Sequence, residues 1–263
     1  LKYGHIATWA LWNEDILKLD SIGVNEEYDL RKDLLIANSE EDYIKKGLNK
    51  LLHGDVVILA LNFSCPKESP SNPNALLNIL NEYKDEKYNR KRYEELINLV
   101  KDDDMFIFSN MYKDAGRGKV NGSGYAKEFM KAEILNGAYM TDFVKFVEDK
   151  GEVLPAGIPE SNSGEITVTS CLSKDKIDIQ AKGLKEELDS LDKKPKTFIL
   201  VHSKLNQDTV KNAISKELGY EPHFEYLYHY TPNGLSYKNN GFTSYEDMYT
   251  SRIAEIIKAI VAK

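Results

Sequence analysis

Every position between Asp55 and Asn62 in the run Asp55-Val-Val-Ile-Leu-Ala-Leu-Asn62 is apolar. The run does not alternate, so it does not describe a strand with one face in water. It is also too short for a typical buried helix. A strand covered on both faces satisfies it, and such strands belong to parallel sheets sandwiched between helices. Thr197-Phe-Ile-Leu-Val-His202 and Met105-Phe-Ile-Phe-Ser109 read the same way. Phe224-Glu-Tyr-Leu-Tyr-His-Tyr230 alternates more and is rich in aromatics, which suits an edge strand.

Helical spacing of apolar residues predicts helices over 93–100, 141–148, 206–218 and 244–262. Gly219 follows the third as a C-terminal cap, and Ser244 opens the fourth as an N-terminal cap. Strands alternating with helices predict an α/β fold, a three-layer α/β/α sandwich with a mostly parallel central sheet. The 263 residues read as a single α/β domain. Residues 55–263 form its core, and residues 1–54 form an N-terminal extension packed on that core. Within the extension, Tyr3-Gly-His-Ile-Ala-Thr-Trp-Ala-Leu-Trp12 is expected to supply a strand, and 39–52 a helix ending near Gly54.

Composition narrows the class. A hydrophobic fraction of 41% with 10% aromatics excludes wholesale disorder. No apolar run reaches the roughly 18 residues that a membrane-spanning helix needs, so no membrane association is expected. The first residues lack the basic-then-apolar shape of a secretion signal. Two cysteines, Cys65 and Cys171, build neither a disulfide framework nor a four-cysteine metal site. The expectation is a soluble cytoplasmic protein with no metal or organic cofactor. The formal net charge is −7, from 35 Lys and Arg against 42 Asp and Glu. That balance opposes strong non-specific nucleic-acid binding, though local basic clusters such as residues 84–92 remain. Those residues, and the mixed-sign run 182–196, read as solvated helix or loop surface.

In open parallel sheets, ligands bind beyond the carboxyl ends of the strands. The residues that follow the apolar runs are polar: Asn62-Phe63-Ser64-Cys65, Ser109-Asn110, His202-Ser203-Lys204 and His229-Tyr230-Thr231. The glycine-rich stretch 116–124 has neither the Walker pattern nor a dinucleotide fingerprint, and reads as a connecting loop. His5 and His53 stand alone and read as packed or surface residues. His202 reads as a structural histidine at a strand end, and Cys65 as a small buried side chain.

Taken in order, these segments resemble the uracil-DNA glycosylase superfamily, in particular its mismatch-specific uracil/thymine branch. Val56-Val-Ile-Leu-Ala-Leu-Asn-Phe-Ser64 is similar to the first motif, a buried strand running into a loop. Asn72-Pro-Asn-Ala-Leu-Leu-Asn-Ile-Leu80 is similar to the helix-opening segment after it. Gly137-Ala-Tyr-Met-Thr-Asp-Phe-Val-Lys145 resembles the internal Thr-Asn or Thr-Asp-Leu-Val-Lys segment. His229-Tyr-Thr-Pro-Asn-Gly-Leu-Ser236 resembles the second motif. Where the family often has Asn-Pro-Gly, this chain has Asn62-Phe63-Ser64.

The resemblance implies a DNA partner and hydrolysis of the N-glycosidic bond of uracil or a related base. By the same resemblance, Asn62 positions the water and His229 donates to the departing base. Phe63 and Ser64 line the base pocket, and Thr231, Asn233 and Ser236 contact the DNA. Asn110, after the second apolar run, is expected at the base edge on topology. Two cysteines exclude the superfamily's iron–sulfur branch. Two other functions stay open at this point. One is a relative that binds nucleotides or nucleic acid without cleavage; the other is a small-molecule hydrolase or transferase of another doubly wound fold.

Overall fold

The computed structural model describes residues 7–10, 35–37, 44–61, 107–108, 132–149, 152–155, 172–228 and 237–263. Its centre is β3, His53–Ala60, which holds all of the apolar run Val56–Leu61 except its last residue. On one side β3 pairs in parallel with β5, Ala138–Asp142, and on the other with β8, Thr197–Leu200. Beyond β8 lies β9, His223–Tyr226, also parallel. The sheet thus holds four parallel strands in the order β5-β3-β8-β9. A fifth strand, β1 (Ala7–Trp9), closes the β5 edge in antiparallel register. The fold is α/β.

Two small antiparallel pairs stand apart from this sheet. β2 (Leu35–Ala37) pairs with β4 (Ile107–Phe108), and β6 (Phe146–Asp149) pairs with β7 (Glu152–Pro155). The second apolar run, expected in the parallel sheet, therefore contributes Ile107 and Phe108 to an antiparallel ribbon instead. The neighbour of β3 is β5, in a region where a helix over 141–148 was expected. Phe143, Val144 and Val147 do mimic a helical stripe. Every residue of β5 is buried, however, and a strand covered on both faces carries no period to read.

Four α-helices accompany the strands among the described residues: α1 (Leu48–Leu51), α2 (Lys174–Ser190), α3 (Asp208–Leu218) and α4 (Tyr245–Val261). Of the helix expected over 39–52, Ile44 and Lys45 and then Leu48–Leu51 are helical among the described residues, with a turn between them in which Gly47 has positive φ. The expected segment 93–100 lies outside the described residues. α3 and α4 fall where the spacing predicts them. Gly219 takes the left-handed conformation that ends α3, and its N–H donates to the Ser215 carbonyl. Ser244 caps α4, its hydroxyl accepting from the Asp247 N–H at 3.0 Å.

Alternate residues of the central strands enter two cores. Val57, Leu59, Phe198 and Leu200 pack with Ile177, Leu184 and Leu188 of α2 and with Val210 and Ile214 of α3. Val56, Ile58 and Ile199 pack with Met248, Ile253 and Ile256 of α4. Helices therefore lie against both faces of the sheet, which is why β3 and β8 have no polar side. The N-terminal strand belongs to the first core. Trp9 is 6% exposed, and its ring meets that of Tyr139 edge-on at a centroid distance of 4.9 Å. Among the described residues, no helix is long and apolar enough to cross a membrane.

Candidate functional site

β3, β5, β8 and β9 run parallel, so they deliver their carboxyl ends to one edge of the sheet. The connection from β3 leads to β5 on one side, while β8 continues to β9 on the other. The crossovers thus diverge between β3 and β8, which makes this the switch point outside whose carboxyl ends open α/β sheets bind ligands.

The backbone shows how the two strands part at this switch point. Val201 N–H donates to Leu59 O at 2.9 Å, which keeps β3 and β8 paired to that level. One step further, β3 turns toward β5. Phe143 N–H donates to Ala60 O at 2.7 Å, and Val144 N–H donates to Leu61 O at 3.0 Å. Both of the last described carbonyls of the strand are taken from the β5 side. β8, meanwhile, turns into its own loop: Leu205 N–H donates to His202 O at 2.9 Å, and Asn206 N–H to Ser203 O at 3.2 Å.

His202, directly after β8, is half-buried. Its Nδ1 accepts the Lys204 backbone N–H at 3.1 Å. Burial, and secondarily the Lys204 charge, hold the imidazole below its ordinary pKa. An Nδ1 that accepts is unprotonated, so the neutral ring carries its hydrogen on Nε2.

Beneath the β5 end lies a buried polar network. Gln180 of α2 clamps the chain where β5 passes into β6. Its Oε1 accepts the N–H groups of Lys145 at 2.6 Å and Phe146 at 2.9 Å, while its Nε2 donates to Phe146 O at 2.7 Å. Lys145 Nζ donates to Thr141 Oγ1 at 2.7 Å and pairs with Glu187 Oε2. The Tyr139 hydroxyl donates to Glu187 Oε1 at 2.7 Å. The side chains of Lys145 and Glu187 are 3% and 0% exposed, so this charge pair lies out of water. Gly183 permits the close approach of α2. A Cβ there would lie 2.8 Å from Lys145 Cβ and 2.8 Å from Phe146 Cε2.

The eight residues singled out for chemistry — Asn62, Phe63, Ser64, Asn110, His229, Thr231, Asn233 and Ser236 — lie outside the described residues. So do Cys65, Cys171 and the glycine-rich stretch 116–124. What is described is the frame on either side of them. β3 and its continuation carry the chain to Leu61, one residue before Asn62. β9 and its continuation carry it to Tyr228, one residue before His229. The strand before Asn110 is β4, in the separate ribbon and not in the parallel sheet, so Asn110 does not follow a parallel strand as expected. The residue that ends the parallel strand beside β3 is Asp142, which is 6% exposed and stands in register with Ala60.

Asp142 and Lys145 both fall within the Gly137–Lys145 segment quoted above, so the sequence did mark the region. Glu187 carried no such signal, since it sits in the mixed-sign run 182–196 that reads as solvated surface, and Gln180, just ahead of that run, carried none either. Among the described residues, no group of three or more His, Cys, Asp or Glu is arranged to hold a metal ion. No family model matches the chain, and no curated protein or solved structure matches it either.

Proposed function

We propose that the chain is a DNA glycosylase of uracil-DNA-glycosylase-like, three-layer architecture, acting on uracil or a related base. The observation that carries the reading is the strand order. Four parallel strands, with β3 central and β5, β8 and β9 entering in that sequence order, bring the chain segments before Asn62 and before His229 to one edge of one sheet. The two motifs are far apart in the sequence and are useful to each other only if the fold does this.

In the proposed reaction the target nucleotide leaves the base stack and enters a pocket at that edge. The glycosidic bond breaks toward an oxocarbenium-like sugar and a base anion. His229 donates to the oxygen on which that negative charge grows, which is worth most where water is excluded. Asn62 orients the water that captures the sugar. Phe63 stacks on the base, Ser64 contacts its edge, and Thr231, Asn233 and Ser236 hold the DNA backbone. An amide at position 62 cannot take the water's proton as a carboxylate does, so turnover is slow.

The test is single-turnover cleavage, revealed by alkali, of end-labelled oligonucleotides with uracil in single strands, opposite A and opposite G. T:G and hypoxanthine substrates complete the set. The parent cleaves at least one of them, and Asn62→Ala or His229→Ala lowers the rate by roughly 100-fold or more. A folded parent in excess over DNA that leaves every substrate intact ends the catalytic reading and favours a binding protein.

A further inference from the structure

We propose that Gln180, buried in α2, is a positioning residue that fixes the end of β3 and, through it, the point from which Asn62 leaves the strand. That Asn62 does chemistry rests on the proposed function; the hold on the strand end rests on hydrogen bonds alone.

The N–H groups of residues 143–146 lead to it. Successive N–H groups of a regular strand point to opposite sides, so a continuing β5 would not send neighbouring ones to the same partner. Yet Phe143 N–H donates to Ala60 O at 2.7 Å, and Val144 N–H donates to Leu61 O at 3.0 Å. The chain has therefore left the ladder just past Asp142. The next N–H groups, of Lys145 and Phe146, converge on Gln180 Oε1 at 2.6 Å and 2.9 Å, and Gln180 Nε2 donates back to Phe146 O at 2.7 Å. A glutamine fits this task, because its oxygen accepts twice while its nitrogen donates; a carboxylate would only accept. Gln180 is 2% exposed, and backbone groups that lose their partner at such depth are costly. The irregular turn that reaches Ala60 and Leu61 is thus set from α2.

The turn matters because of what it holds. On the β8 side, the bond from Val201 N–H grips β3 at Leu59 O. Beyond that level the carbonyls of Ala60 and Leu61 are held from the β5 side, and Leu61 is the residue before Asn62. A reacting group misplaced by about 1 Å can lose roughly 100-fold in rate. A residue that fixes Leu61 therefore acts on the rate of the chemical step and not on DNA affinity.

Amide hydrogen exchange, followed by NMR on the full chain, tests the hold, with Val201 as the internal reference because it bonds β3 from the other side. In Gln180→Met, Phe143 and Val144 exchange about tenfold faster relative to Val201, and the Asn62 amide resonance moves. Gln180→Asn keeps the polar groups but is one methylene short, and gives the same pattern should the apolar variant fail to fold. In parallel, single-turnover cleavage of uracil-containing oligonucleotides falls by about tenfold or more, while affinity by fluorescence anisotropy stays at the parent's value.

Equal acceleration at Phe143, Val144 and Val201, or none, makes Gln180 ordinary structural support and overturns the inference. Selective acceleration with cleavage at the parent's rate also overturns it, and leaves the glycosylase reading in place. Selective acceleration with a moved Asn62 resonance, in a protein whose parent cleaves nothing, sustains the hold on the strand end and ends the glycosylase reading.

Discussion

Lys145 and Glu187 leave water together, and neither tolerates the loss of the other. An unpaired charge in this position costs about 3–5 kcal/mol, whereas removing both charges is far less harmful. Lys145→Met is therefore expected to destabilise the protein by about that amount, read as a lower urea midpoint. Adding Glu187→Gln to it keeps an acceptor for the Tyr139 hydroxyl and removes the stranded charge, so the double variant is more stable than Lys145→Met alone. A double variant less stable than the single one contradicts this account.

His53 is the opposite case. Among the described residues neither of its buried ring nitrogens has a hydrogen-bond partner at ordinary distance, and neither does Asn136 Oδ1. Burial lowers the His53 pKa, outweighing the Asp55 carboxylate and the Asn136 backbone, which favour the charged ring. The folded state therefore binds fewer protons at this residue than the unfolded chain does. Its contribution to stability is complete above the ordinary imidazole value of about 6.5. It falls as the pH drops below that value, until the folded ring is charged as well. His53→Leu removes this component, so urea titrations at pH 7.5 and 5.5 should differ less for the variant than for the parent. An equal acid sensitivity in the two proteins assigns the effect to other groups.

At the scale of elements, the helices that sequence reading placed well are those whose ends carry their own chemistry. α4 begins with a reciprocal arrangement. The Ser244 hydroxyl accepts from the Asp247 N–H, and Asp247 Oδ2 accepts from the N–H of Thr243 at 3.0 Å and from its hydroxyl at 3.1 Å. Ser244→Ala is expected to cost about 1 kcal/mol, seen as a drop in thermal midpoint with unchanged far-UV dichroism at low temperature. A midpoint equal to the parent's shows that the Asp247 side of the arrangement holds the end alone.

β5 was illegible for a physical reason. A strand buried on both faces has no polar side to set a period, and Phe143, Val144 and Val147 just beyond it fall at a helical spacing. α2 was hidden differently. Its charged surface residues dominate the pattern, and the two polar groups it buries, Gln180 and Glu187, look in sequence like more of that surface.

For the whole molecule, the central apolar run did much of the work. A strand with no polar position implies layers on both sides, and helices do lie on both faces of β3. The edge character of β9 and the burial of Trp9 were also legible, the first from alternation and the second from its aromatic surroundings. Strand order was not. No local feature of Met105–Ser109 separates a ribbon strand from a sheet strand, because pairing partners are chosen by long-range packing. The candidate site divides along the same line. Its outer residues were chosen from motifs and strand ends, while the buried support under the β5 end depends on which helix arrives there.

The position of β1 has a consequence for how the chain reaches this state. Trp9 is made early in synthesis but takes its place only when Tyr139 has emerged, and β3 waits for β8 before its second side is covered. Contacts this distant in sequence slow folding. Until β8 appears, the unbroken apolar strand at the centre of the sheet has no partner on one edge. A nascent chain of this protein is thus expected to engage holding chaperones between the synthesis of β3 and that of β8, and to release them as the sheet closes.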